Sequence, residues 1–158
     1  MLHDTLEKIA QILTNDGRML ATAESCTGGG IAEKVTALAG SSAWYSYSVV
    51  SYSNTAKEKI LGVDSSTLEQ YGAVSEPVAQ EMAVGVARLA GAKVTVSVTG
   101  IAGPSGGSPE KPVGTVCIGW FVDGKVTVER FLFSGNREQV RQQTIEKALE
   151  GVLLRITK

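Results

Sequence analysis

The stretch RMLATAESCTGGGIAEKV, Arg18 to Val35, changes character twice within eighteen residues. Its first half, RMLATAES, is a short apolar run that ends in small residues, and it reads as a strand. From Thr27 onward, TGGGIAEKVTALAG predicts a helix with a glycine-rich first turn. Ile31, Val35 and Leu38 fall along one face of it, and Gly40 ends it. A strand feeding directly into a helix is the repeating unit of an α/β sheet. Four polar or reactive side chains, Glu24, Ser25, Cys26 and Thr27, lie at the joint.

The flanking sequence repeats the unit. Upstream, Leu2, Leu6, Ile9, Ile12 and Leu13 at helical spacing predict an amphipathic helix over about 3–15, closed by Asn15-Asp16-Gly17. Downstream, AWYSYSVVSYS is β-branched and aromatic and predicts a strand over about 43–52, followed at once by a short helix in NTAKEKILG. A turn of helix is expected at 68–71. A longer helix then starts at Ser75 as N-cap, with Pro77 in its first turn and Gly91 closing it. KVTVSVTG is a strand, and it runs into GIAGPSGGSPEKPVG, a loop that holds three of the four prolines. TVCIGWFVDGKVTVERFLFSG predicts a β-hairpin turning at Asp123-Gly124, a pair suited to a type I′ turn. The last helix, about 136–157, turns Val140, Ile145, Leu149, Val152 and Leu153 inward. The expected fold is a three-layer α/β/α sandwich with a mixed, mostly parallel sheet ending in a β-hairpin, residues 1–158 forming one domain.

Composition narrows the classes of function. A chain of 158 residues with 43% hydrophobic and 20% charged residues can bury a core without disulfides or structural metal. Fifteen Lys and Arg against sixteen Asp and Glu give a net charge of −1, so total charge argues for neither nucleic acid nor a membrane surface as partner. The N-terminal MLHDTLEKIAQIL lacks the basic head and continuous apolar core of a signal peptide, and no segment approaches a membrane span. Cys26 and Cys117 are far apart, which makes a reduced, cytoplasmic setting the expectation. His3 is the single histidine, so neither a Ser-His-Asp triad nor a zinc cluster is expected.

The chemistry concentrates where three strands end: ESCTGGG, YSNTAK and TGIAGPSGG each follow one. The glycines suit backbone contacts to an anion, although neither cluster has the P-loop or the dinucleotide spacing. They equally suit close packing of helices. Ser25 reads either as a helix cap or as a nucleophile, and Cys26 either as a nucleophile or as a small buried hydrophobe. Without histidine the base for a serine would be a lysine kept neutral by burial, or a tyrosine; Lys57 and Tyr52 in YSNTAK supply both types.

Taken together, TAESCTGG, AGSSAWY, YSNTAK, GAVSEPVA, TGIAGPSGGSPEKPVGTV and VRQQT, in this order from about Met19 to Leu149, resemble the C-terminal domain of the competence/damage-inducible CinA family. The resemblance implies hydrolysis of the carboxamide of nicotinamide mononucleotide to nicotinate mononucleotide and ammonia, without metal or redox cofactor. It implies Ser25 as nucleophile, Tyr52 and Lys57 as its assistants, and a role for Arg141 in the final helix, where Gln142 replaces an arginine frequent in relatives. Thr27, Gly28 and Gly29 are then expected to bind substrate, with the N–H groups of Cys26 to Gly29 as oxyanion hole. Thr99, Gly100 and Gly103, with Arg141 as a further candidate, are expected to cradle the phosphate or ribose. The expected partner is a small nucleotide, with a homodimer built on apolar residues of the hairpin.

Overall fold

The computed structural model describes residues 1–157. Its elements in chain order are α1 (Leu2–Asp16), β1 (Leu20–Glu24), α2 (Gly30–Thr36), a short 3-10 turn at Ser41–Ala43 and β2 (Tyr45–Val50). They continue with α3 (Asn54–Leu61), α4 (Ser65–Tyr71), α5 (Glu76–Ala90), β3 (Val94–Gly100), β4 (Thr115–Val122), β5 (Lys125–Leu132) and α6 (Arg137–Ile156). The sheet order is β2-β1-β3-β4-β5. β1 pairs in parallel with β2 and β3, whereas β4 runs antiparallel to both β3 and β5, so β4 alone points against the rest.

Two cores flank this sheet. One packs α1, α2 and α6 on it through Leu6, Ile9, Ile31, Ile145, Leu149 and Val152, against Val94, Val96, Val98 and Trp120. The other packs α3, α4 and α5 through Leu61, Leu68, Val78, Met82 and Val86 against Ala21, Ala23 and Val49. Helices on both faces explain why all five residues of β1 are buried and why its sequence does not alternate. The small residues at its end, Ala21 and Ala23, let the second helical layer come close.

Local signals hold at most boundaries. Ser75 accepts a hydrogen bond from Val78 N and caps α5, with Pro77 in its first turn and Gly91 in the left-handed conformation at its end. Asp123 and Gly124 both have positive φ, 49° and 91°, as a type I′ turn requires. The start of α2 departs from the sequence reading. It begins at Gly30, and Gly28 and Gly29 precede it at φ 57° and 99°, so two of the glycines form a left-handed turn rather than helix.

A doubly wound sheet of this order changes direction of winding between β1 and β3, and ligands collect outside the carboxyl ends of the strands at such a point. The turn after β1 is tied to the last residues of β3 there: Ser25 N donates to Val98 O at 3.1 Å.

Candidate active site

Ser25 follows β1 directly and is 7% exposed. Lys57 reaches it from the first turn of α3, a helix capped by the Ser53 side chain, which accepts from Ala56 N. Lys57 is 1% exposed, and its Nζ lies 2.9 Å from Ser25 Oγ, 2.8 Å from Ser51 O and 3.4 Å from Tyr52 O. A neutral amine has two N–H donors and one lone pair. The carbonyls can only accept, so in the neutral form they would take the N–H groups and the lone pair would face Ser25 Oγ. Burial pushes the Lys57 ammonium below the ordinary lysine range.

Cys26, the alternative nucleophile, is buried, and burial pushes its thiol up to about 12. The thiolate is therefore scarce at neutral pH. Between Ser25 and the helix, the Gly28 N–H closes on Ser25 O at 3.0 Å and the Gly30 N–H on Thr27 O at 2.9 Å. Among the described residues, the N–H groups of Cys26, Thr27 and Gly29 bond to no protein oxygen. Of the four N–H groups expected as oxyanion donors, that of Gly28 is therefore the one already engaged, and Gly28 supplies the left-handed backbone of the turn.

Glu24, fully buried, holds this turn in place. Its carboxylate accepts from Thr27 Oγ1 at 2.6 Å, Ile31 N at 2.9 Å, Ala32 N at 3.0 Å and Ser48 Oγ at 3.2 Å. The carboxylate does for α2 what a serine cap would do, so Ser25 is released from that duty. A single acidic residue at a strand end carries no signal of this in the sequence.

Several expected binding groups are otherwise engaged. The Thr27 hydroxyl is spent on Glu24, and the Thr99 hydroxyl, buried at the end of β3, donates to Ala73 O at 2.9 Å. Gly100 is a packing glycine, since a Cβ there would lie 2.7 Å from Val116 Cγ2 and 2.9 Å from Thr115 O. Gly103 turns at φ 83° before a cis bond to Pro104, and its carbonyl accepts from Arg137 Nη1 at 2.8 Å. The protons of both hydroxyls are therefore committed within the fold.

Tyr52 also sits differently from expectation. Only its carbonyl approaches Lys57; its phenol is 62% exposed and accepts from Arg137 Nη2 at 3.1 Å. The side chain therefore stands at the mouth of the site rather than on the amine. Arg141 comes to the nucleophile turn, donating from Nη2 to Thr27 O at 2.8 Å. Its Nε is buried and has no partner among the described residues. Arg137 was not anticipated, because the atoms it joins lie 34 and 85 residues away in the chain.

An open α/β sheet with a serine and a buried lysine in contact at its switch point defines the architecture to be matched. The chain belongs to the CinA C-terminal domain family, whose model matches residues 2–156. It is 54% identical over 153 residues to the nicotinamide-nucleotide amidohydrolase PncC of Enterobacter agglomerans, covering 96% of this chain and 93% of that protein. It is 49% identical to the CinA-like protein of Chlorobaculum tepidum, where the match covers 96% of this chain and 37% of the longer relative. The crystal structure of the competence/damage inducible protein CihA from Agrobacterium tumefaciens superposes with a TM-score of 0.95 at 41% identity, covering 99% of this chain and 96% of that one. No helix among the described residues is long and apolar enough to cross a membrane.

Proposed function

We propose that the chain hydrolyses the carboxamide of nicotinamide mononucleotide to nicotinate mononucleotide and ammonia. The observation that carries this reading is the 2.9 Å contact between Ser25 Oγ and a buried, carbonyl-anchored Lys57 amine. The name of the relative that matches at 54% identity supplies the substrate.

In this reading Lys57, neutral, takes the Ser25 proton as Oγ forms a bond to the amide carbon. The negative charge that develops on the amide oxygen is met by the free N–H groups of Cys26, Thr27 and Gly29, with Arg141 adding positive charge beside Thr27. The proton on Lys57 passes to the amide nitrogen, the C–N bond breaks and ammonia leaves. Water then adds to the acyl-serine and gives a proton to Lys57, which passes it to Ser25 Oγ as the C–O bond breaks, so that the acid is released and both residues return to their starting states. Tyr52 lines the entrance and holds no proton in these steps.

The test is ammonia release from nicotinamide mononucleotide by wild type and Ser25→Ala, with a chelator present. Loss of at least about a thousandfold in the variant, with wild-type activity unaffected by chelator, is the expected outcome. Nucleotide binding without ammonia release by the wild type would make the chain a binding module. Activity that survived Ser25→Ala and disappeared in Cys26→Ala would overturn the choice of nucleophile.

Assembly as a homodimer belongs to the same reading. On the hairpin, Leu132 is the exposed large apolar residue, at 68%. Sedimentation velocity is expected to show a dimer, and a monomer at assay concentration would remove this part of the proposal.

A further inference from the structure

Arg137 and Arg141 are four residues apart on α6, so their side chains leave the same face of the helix. Both turn to the site: Arg141 to the nucleophile turn, Arg137 to Tyr52 and Gly103. Elsewhere in the molecule, Arg18 pairs with Asp16 and Asp123 and Arg155 with Glu129, whereas Arg88 and Arg130 bond to the carbonyls of Leu61 and Glu110; what sets Arg137 apart is its position at the site. Arg137 is held only by a carbonyl and a phenol, and no carboxylate among the described residues pairs with it. A guanidinium carries five N–H donors, and two neutral partners leave both its charge and part of its fork unused.

Two of the groups first expected to hold an anion are engaged elsewhere. Thr99 Oγ1 is committed to Ala73 O, and Gly100 is enclosed by Val116 and Thr115. If Ser25 fixes the carboxamide end of the nucleotide, Arg141 lies beside that end. Arg137 is one turn further along α6, displaced by about 5–6 Å. The exposed phenol of Tyr52 stands next to it, open to the ring or the ribose between the two ends.

We infer that Arg137 is the phosphate-recognising residue of the site and sets its preference for a nucleotide over the corresponding nucleoside. The inference rests on the reading of the reaction given above. A phosphate would take the N–H groups now shared with Gly103 O and Tyr52 Oη. The fork would bind it bidentately, an arrangement that lysine reproduces only in part.

The experiment compares kcat/KM for nicotinamide mononucleotide and nicotinamide riboside in wild type, Arg137→Gln and Arg137→Lys, with inorganic phosphate as competing anion. The nucleotide-to-nucleoside ratio is expected to fall by about 10- to 100-fold in Arg137→Gln, with a partial return in Arg137→Lys. Phosphate inhibition should weaken in parallel. Equal losses on both substrates, or unchanged phosphate inhibition, would overturn the inference and leave Arg137 as a tie between Tyr52 and the glycine loop. Should the wild type release no ammonia from either compound, the proposed reaction falls. Calorimetric binding of the two compounds then reads the same ratio: a nucleotide preference lost in Arg137→Gln upholds the inference, and no preference overturns it.

Discussion

Lys57 is the residue whose environment departs furthest from what its type suggests. In water a lysine is a cation at neutral pH; here burial lowers its pKa, and two carbonyls orient the amine toward Ser25. Activity should therefore rise with pH along a limb whose midpoint lies below the ordinary lysine value, measured as kcat/KM against pH. Lys57→Arg keeps a cation that cannot deprotonate, and a loss of about a hundredfold or more is expected. An activity that is flat across the alkaline range, or retained in the arginine variant, would exclude Lys57 as base. The same shift has a thermodynamic sign. Between the folded pKa and the unfolded value near 10.5 the unfolded chain binds more protons, so this group makes the fold more stable as pH rises through that window. Glu24 gives a second residue-scale prediction. Glu24→Ala would strand the N–H groups of Ile31 and Ala32 and cost about 2–4 kcal/mol by urea denaturation, while Glu24→Gln, which keeps one acceptor oxygen, should cost less. Equal small effects would mean that water reaches the helix start.

At the level of elements, the chain's own signals were clear wherever they were local. Ser75, Pro77 and Gly91 bound α5, and Asp123-Gly124 turns the hairpin, because each acts through bonds within a few residues of itself. The start of α2 was misread because its cap comes from Glu24, upstream of the glycines and part of a strand, where a carboxylate reads as exposed. Ser25 and Lys57 were legible as types, yet their contact depends on two adjacent parallel strands ending at one level. Arg137 and the spent hydroxyls of Thr27 and Thr99 were illegible for the same reason, since partner atoms come from other elements. Packing of α6 is also set at long range. A Cβ at Gly151 would overlap the indole of Trp120, whose Nε1 donates to Ala148 O and whose ring is covered by Arg155. Helix propensity alone favours alanine over glycine by about 1 kcal/mol, and overlap with a ring held on both sides costs about 1–3. Gly151→Ala is expected to lower the denaturation midpoint; a raised midpoint would show that the indole can move aside.

Across the whole molecule, the mixed sheet places everything reactive at one end. The nucleophile turn, the first turn of α3, the loop after β3 and the start of α6 meet beyond the carboxyl ends of β1, β2 and β3. Reversal of β4 sends the hairpin turn to the other end, where Val122 pairs with Val94 at the beginning of β3. The exposed Asp123-Gly124 corner is thus a natural handle. A fluorophore or surface linker coupled to the exposed Lys125 beside this corner would anchor the protein with its reactive end facing the solution and leave the turn and the Arg18–Asp123 pair intact. Catalytic turnover of the tethered form should match that of the free protein.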